Sequence, residues 1–243
     1  MNDKFKKKCL YLVAVPIGNF DDFSFRAIET LMHADIIIGE EFATTEKILK
    51  RLNIGKKEIY LLNEHNEINE AKLLFNIIIE NNFSAALISE AGTPCIADPG
   101  AVLVNLFHEH KYPVVPVPGV SAITSAMMVC GGPYLYKKNN IEKNSIKQGS
   151  FKYFGFLSAN KETRQNELKL LNTEKIPIVI LEAPYRMNQV LKDIATFCGK
   201  EKKILFAYKL TQPDELIIKS TISEVLRKTE NIKKGEFVIV LLP

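Results

Sequence analysis

Short apolar runs, each cut off by small or turn-forming residues, alternate along this chain with longer segments whose apolar residues fall three and four apart. The first pattern is that of buried strands and the second that of helices packed on one face. Cys9 to Val15 predicts a strand ended by Pro16-Ile17-Gly18-Asn19. Asp21 or Asp22 is placed to cap a helix through Ala27, Leu31 and Met32. Asp35 to Gly39 holds three consecutive isoleucines and predicts a second strand. A helix follows Thr44 or Thr45 through Ile48, Leu49 and Leu52, with Gly55 as its stop. Ile59 to Leu62, Ala85 to Ile88 and Val114 to Val117 read as strands. Asn69 to Asn81, Ala101 to His110 and Ser121 to Val129 read as helices.

This alternation predicts an α/β fold whose N-terminal domain, residues 1–130, is a parallel, doubly wound sheet. Gly131-Gly132-Pro133 breaks the pattern, and residues 131–150, rich in lysine and asparagine, read as a linker or substrate loop. Residues 151–243 predict a second α/β domain with a mixed sheet. Its strands fall at Tyr153 to Leu157, Pro177 to Leu181, Ile204 to Leu210, Ile217 to Ile222 and Phe237 to Leu242. Its helices fall at Lys161 to Leu171, Met187 to Phe197 and Ser223 to Thr229. Lys161 and Arg164 read as part of a solvated helix face.

Composition narrows the class. With 243 residues, 47% hydrophobic, the chain can bury a sizeable core. A net charge of +4 permits an anionic partner without demanding one. The four cysteines, at 9, 95, 130 and 198, form no Cys-x-x-Cys pair, so no zinc site is expected and reduced thiols are. The basic start Lys4-Phe5-Lys6-Lys7-Lys8 runs directly into a strand rather than a signal peptide. No apolar run approaches the roughly 20 residues needed to span a membrane. A cytoplasmic protein without a membrane partner is the expectation.

Three predicted strands open into loops of one kind: after Val15, after Ile88 in Ser89-Glu90-Ala91-Gly92-Thr93-Pro94, and after Val117 in Pro118-Gly119-Val120-Ser121-Ala122. In parallel sheets, ligands bind at this carboxyl edge. The glycines allow backbone to approach a ligand, but Gly-x-Gly-x-x-Gly and Gly-Lys-Ser/Thr are absent, which disfavours dinucleotides and nucleoside triphosphates. An adenosine-type ligand held by backbone and apolar walls fits better. Structural turns account for the same glycines as readily.

Together these stretches resemble the tetrapyrrole methylase superfamily of S-adenosylmethionine-dependent methyltransferases. The similarity is carried by Leu10 to Asn19, Arg26 to Leu31, Glu64-His65-Asn66-Glu67, Ile88 to Pro94, Asp98-Pro99-Gly100 and Val115 to Ala122. It continues in Gly155-Phe156-Leu157, Glu182-Ala183-Pro184-Tyr185-Arg186 and Lys234 to Val238, in family order over nearly the whole chain. Within the superfamily the chain is most similar to the bacterial small-subunit ribosomal RNA ribose 2′-O-methyltransferases that modify a cytidine. The resemblance implies two domains with the cofactor in a cleft between them, a homodimer, and ribosomal RNA or the small subunit as partner. It maps cofactor contacts to Pro16, Gly18, Ser89, Glu90, Ala91, Gly92, Thr93, Pro94, Ser121, Ala122, Leu181 and Pro184. No metal is implied.

The departures concern the substrate side. The family's acidic-Asp-Thr-Arg-x-Thr stretch reads Glu40-Glu41-Phe42-Ala43-Thr44-Thr45 here, without the arginine. The usual proline-histidine-arginine has become Pro184-Tyr185-Arg186, and the late arginine-glutamate pair is replaced by Tyr208-Lys209-Leu210-Thr211. A related methyltransferase with another acceptor, or a non-catalytic cofactor-binding relative, stands beside the RNA reading. Transfer to a hydroxyl needs a proton acceptor, for which Glu41, His65 and Glu182 are the candidates. His65 serves equally as a surface histidine, and Arg186 as either a substrate contact or a structural ion pair. Tyr185 and Tyr208 can stack on a base or lie half-buried.

Overall fold

The computed structural model describes residues 6–131, 150–232 and 234–243. The expected linker at 131–150 therefore lies, except for its two end residues, outside the described residues. The chain divides into two units, Met1–Ser121 and Ala122–Pro243.

In the first unit the strands are β1 (Cys9–Val13), β2 (Ile36–Gly39), β3 (Glu58–Leu61), β4 (Ser84–Leu87) and β5 (Val114–Val117). They form a wholly parallel sheet in the order β3-β2-β4-β1-β5. The helices are α1 (Phe25–His33), α2 (Phe42–Arg51), α3 (Glu67–Glu80) and α4 (Ala101–Glu109). The strand period of two splits the core between the faces of the sheet. Cys9, Tyr11, Val13 and Ile37 pack against Ala27 and Leu31 of α1 and Leu49 of α2. Leu10, Ile36, Ile38, Ala85 and Leu87 pack against Leu74 and Ile78 of α3 and Phe107 of α4. Helices on both faces bury every strand residue of β2 and β4, which is why those strands read as unbroken apolar runs.

Helix ends follow local chemistry. The Ser24 side chain accepts from the Ala27 N–H and caps α1, while Asp21 and Asp22 sit in a 3₁₀ turn capped by Asn19. The expectation that an aspartate caps α1 is thus corrected by the intervening turn. α2 begins at Phe42, ahead of Thr44, and it is Asn53 (φ 54°), not Gly55, that takes the left-handed conformation after it.

The second unit holds α5 (Ala122–Val129), β6 (Lys152–Gly155), α6 (Lys161–Leu171), β7 (Ile178–Glu182) and α7 (Met187–Phe197). After these come β8 (Lys203–Tyr208), β9 (Leu216–Thr221), α8 (Ile222–Lys228) and β10 (Phe237–Leu241). The sheet runs β6-β7-β10-β8-β9, with β6 and β7 parallel and the other pairs antiparallel. A parallel sheet followed by a mixed one is the architecture the sequence predicts. Helices α6, α7 and α8 cover one face through Leu168, Leu191, Ile194 and Val225. α5 lies against β7 and β10. It buries Ile123, Ala126 and Met127 and falls in the second unit, whereas the expected boundary at 130 puts that helix in the first domain. Among the described residues, no helix is long and apolar enough to cross a membrane.

Candidate functional site

Strand order positions the site. β4 lies between β2 and β1. The chain leaving β1 and β2 turns to the α1/α2 face, and the chain leaving β4 turns to the α4 face. Loops that diverge from neighbouring strands open a crevice at their carboxyl ends.

Three loops are tied together there. Val15 and Gly92 exchange backbone hydrogen bonds of 2.8 and 3.0 Å. Thr93 Oγ1 donates to the Val120 carbonyl at 3.1 Å. Gly92 has φ +83°, and a Cβ on it would lie 3.2 Å from Ile17 Cγ2; a Cβ on Gly119 would lie 3.0 Å from Ala14 Cβ. These glycines serve close loop approach as well as any ligand. Of the expected cofactor residues, Pro16, Gly18 and the segment 89–94 are brought together on this edge. Ser89, Gly92 and Pro94 are buried, while Gly18, Glu90 and Ala91 are exposed. Ser121 ends the first unit and Ala122 begins the second; Leu181 and Pro184 lie at the carboxyl end of β7.

Beside these loops is a cavity of about 540 Å³, lined by Glu40, Asn63, Glu64, His65, Glu67, Glu90, Ala97, Asp98 and Pro99. Glu40 follows β2, and its carboxylate accepts from the Glu90 N–H at 3.3 Å. Burial, and next the charge of Asp98, push Glu40 up to about 7. Burial likewise raises Asp98 to about 6, against a lowering hydrogen bond from Ser89. Burial pushes the Cys95 thiol up to about 11, which leaves it a thiol at neutral pH.

The loop carrying Asp98 is strained and pinned. Cys95 and Ala97 both have φ 65°, and Gly100 has φ +128°. Glu67, in the first turn of α3, accepts from the Gly100 and Val102 N–H groups at 2.9 and 3.0 Å. Its carboxylate thereby caps α4, where the helix dipole favours negative charge.

The expected catalytic residues fare differently. Glu41 is the N-cap residue of α2 and accepts from Thr44 Oγ1 at 2.7 Å; the cavity is lined by its neighbour Glu40 instead. His65 lines the cavity but is largely solvated, with Nε2 3.7 Å from Glu64. Glu182 and Arg186 lie in the second unit and are occupied with backbone. Glu182 accepts from the Leu157 N–H at 3.1 Å. Arg186 donates to the Leu157 and Ser158 carbonyls at 2.8 and 2.9 Å and pairs with Glu182 at 3.3 Å. Burial raises the Glu182 carboxyl, while Arg186 pulls it back down. Of the two readings of Arg186, this geometry favours the structural ion pair.

Arg164 is not solvated as expected. It is buried, pairs with Asp193 at 2.7 Å, and donates to the Ser158 and Ala159 carbonyls. Tyr208 is buried, with its hydroxyl donating to the Lys234 carbonyl at 3.1 Å, whereas Tyr185 is 78% exposed. Among the described residues, no group of three or more His, Cys, Asp or Glu is placed to hold a metal.

This two-unit α/β fold, a parallel sheet followed by a mixed one, is shared with solved structures. A diphthine synthase matches with TM-score 0.72 at 15% identity, over 96% of this chain and 90% of that one. Uroporphyrin-III-C-methyltransferase from Thermus thermophilus matches with TM-score 0.63 at 14% identity, over 96% and 94%. The chain belongs to the tetrapyrrole (corrin/porphyrin) methylases, whose family model matches residues 9–226. It is thus a methyltransferase. Among its relatives is the ribosomal RNA small subunit methyltransferase I of Synechocystis, 35% identical over 96% of this chain and 78% of the relative. The protein of the same name from Escherichia coli O157:H7 is 33% identical over 96% of this chain and 77% of the relative.

Proposed function

We propose that the chain transfers a methyl group from S-adenosylmethionine to a ribose 2′-hydroxyl of small-subunit ribosomal RNA. The observation that carries this reading is the 33–35% identity, over 96% of the chain, to relatives named as small-subunit RNA methyltransferases. Identity to the diphthine synthase and the uroporphyrin enzyme is only 15% and 14%. Action in the cytoplasm as a homodimer follows from the same family reading.

The first unit fits the cofactor. Gly92 and Gly119 present bare backbone beside Ile17 and Ala14, which suits an adenosine held by main chain and apolar walls. Glu40, Glu90 and Asp98 give the adjoining cavity an anionic lining, matched to a cationic ligand. Pro16, Gly18, Ser89 to Pro94 and Ser121 would hold the cofactor on the first unit. Bound S-adenosylmethionine supplies an activated methyl group, and the protein's part is alignment and proton handling.

Glu40 suits the proton step better than Glu41. It lines the cavity, and burial holds it near neutrality, where a carboxylate is a stronger base and still ionised in part. It would take the proton released by the attacking hydroxyl, with Asp98 keeping its basicity up.

The assay is transfer of labelled methyl from S-adenosylmethionine to purified small ribosomal subunits, followed by nucleoside mass spectrometry. A 2′-O-methylated nucleoside is the expected product. The altered 40–45 stretch, which lacks the family's arginine, favours drift to another acceptor as the second reading. Cofactor binding without label in RNA would support it.

A further inference from the structure

The loop after β6 exposes an aromatic ring in an unusual way. Phe154 packs against the second unit's core. Strand alternation would put Phe156 on that same face and Leu157 outside. The register instead shifts between Tyr153 and Gly155, where Gly155 takes φ +89°. Such a bulge re-aims the following side chains. Leu157 ends 2% exposed and Phe156 49% exposed.

The backbone past that bulge is then held by charge. Glu182 and Glu167 accept from the N–H groups of Leu157 and Ser158. Arg186 and Arg164 donate to the carbonyls of 157, 158 and 159. Asp193 holds Arg164, and Gln189 donates to Asp193 at 2.9 Å. Hydrogen bonds to charged groups are the stronger class. Arg186 sits directly after Tyr185, the second strongly exposed aromatic at this end of the sheet. Because β6 and β7 are parallel neighbours, Phe156 and Tyr185 leave from the carboxyl ends of adjacent strands.

Charge suggests what such rings would meet. The first unit carries 12 Lys and Arg against 16 Asp and Glu, a net −4. The second carries 20 against 12, a net +8. The rings belong to the half of the chain with net positive charge, and proteins that hold unpaired bases combine such charge with exposed aromatic side chains.

We propose that Phe156 and Tyr185 form a stacking platform for unpaired bases of the RNA substrate, with the Arg164, Glu167, Glu182 and Arg186 clamp as its rigid footing. The proposal rests on the RNA reading above. Removing one stacked base contact weakens binding on the order of tenfold.

The test uses the full-length protein and purified small ribosomal subunits, with affinity measured across a salt series. Phe156→Leu and Tyr185→Leu are each expected to weaken binding about tenfold, while Phe156→Trp retains wild-type affinity. Stacking releases no counterions, so the slope of log affinity against log salt should stay that of the wild type. S-adenosylmethionine affinity and thermal midpoint should also be unchanged. Leucine variants that bind subunits normally overturn the platform. So does a leucine variant that changes the oligomeric state, which would place the rings between copies of the chain, or one that lowers the thermal midpoint, which would make them structural. If the wild type methylates RNA and the leucine variants do so normally, only the platform fails. If the wild type neither binds nor methylates RNA, the functional reading fails and the platform falls with it.

Discussion

Arg186→Ala should destabilise the second unit, because Arg186 acts through the structure and makes no direct contact with RNA. The Arg186 side chain is 15% exposed and that of Glu182 is fully buried. Truncation removes the donor from two carbonyls and leaves the carboxylate without its counter-charge. Breaking a buried pair this way costs roughly 3–5 kcal/mol. Glu182 keeps hydrogen bonds from the Leu157 and Ala183 N–H groups, so about 3 kcal/mol is expected. With a urea slope of about 2 kcal/mol/M, the midpoint should fall by roughly 1.5 M. The chain has no tryptophan, so far-UV circular dichroism is the probe.

The loss should depend on pH in a defined direction. Burial already raises the Glu182 carboxyl in the wild type, and losing Arg186 raises it further. An acid with a raised folded pKa contributes stability below its unfolded pKa and loses it as pH rises through the folded one. The deficit of the variant should therefore be largest at pH 8 and shrink toward pH 4. Adding Glu182→Gln should recover a good part of it at pH 8, because the uncompensated charge is gone. A variant that unfolds like the wild type at every pH would refute this reasoning, and a steeper loss of subunit affinity at low salt than at high salt would then make Arg186 a phosphate contact.

Two other outcomes are expected. Gly92→Val should abolish S-adenosylmethionine binding in calorimetry, because φ +83° disfavours a branched residue and its Cβ would crowd Ile17; normal affinity would misplace the cofactor. Glu40→Gln should raise the thermal midpoint at pH 8 but not at pH 4, since a carboxyl raised to about 7 is destabilising once ionised. About 1–2 kcal/mol is expected after solvent screening. The same variant should lose methyl transfer by far more than any loss of cofactor affinity, and full activity would remove Glu40 from the proton step.

The strands were legible because burial on two faces writes itself as unbroken apolar runs, as in Ile36-Ile37-Ile38. Ends were less so. The start of α1 depends on a 3₁₀ turn that only the folded loop reveals. That Glu40 and not Glu41 lines the cavity is a matter of parity, and the sequence itself carries it. Ile36 and Ile38 face α3 and α4, and Ile37 faces α1 and α2. Glu40 continues the parity of 36 and 38, toward the segment that carries Asn63 to Glu67. Arg164 was legible in the same way, since it stands four and seven residues before Leu168 and Leu171, on the buried stripe of α6. The pairing of Arg186 with the loop at 157–158 was not, because nothing local joins positions nearly thirty residues apart.

β1 lies between β4 and β5, bonded to Ser84–Leu87 on one side and to Val114–Val117 on the other. Of the strands of this sheet, β1 comes earliest in the chain, yet its second partner, β5, comes last. At ordinary elongation rates, roughly 5–20 s separate its synthesis from that of its second partner. Both hydrogen-bonding edges of this apolar strand stay open until β4 is made, and one stays open until β5 is, which is the condition for pairing with the wrong neighbour. Slowing translation across residues 14–117 should therefore lower the soluble yield of this chain more than slowing it across the second unit, where β8 and β9 pair within a few residues of each other.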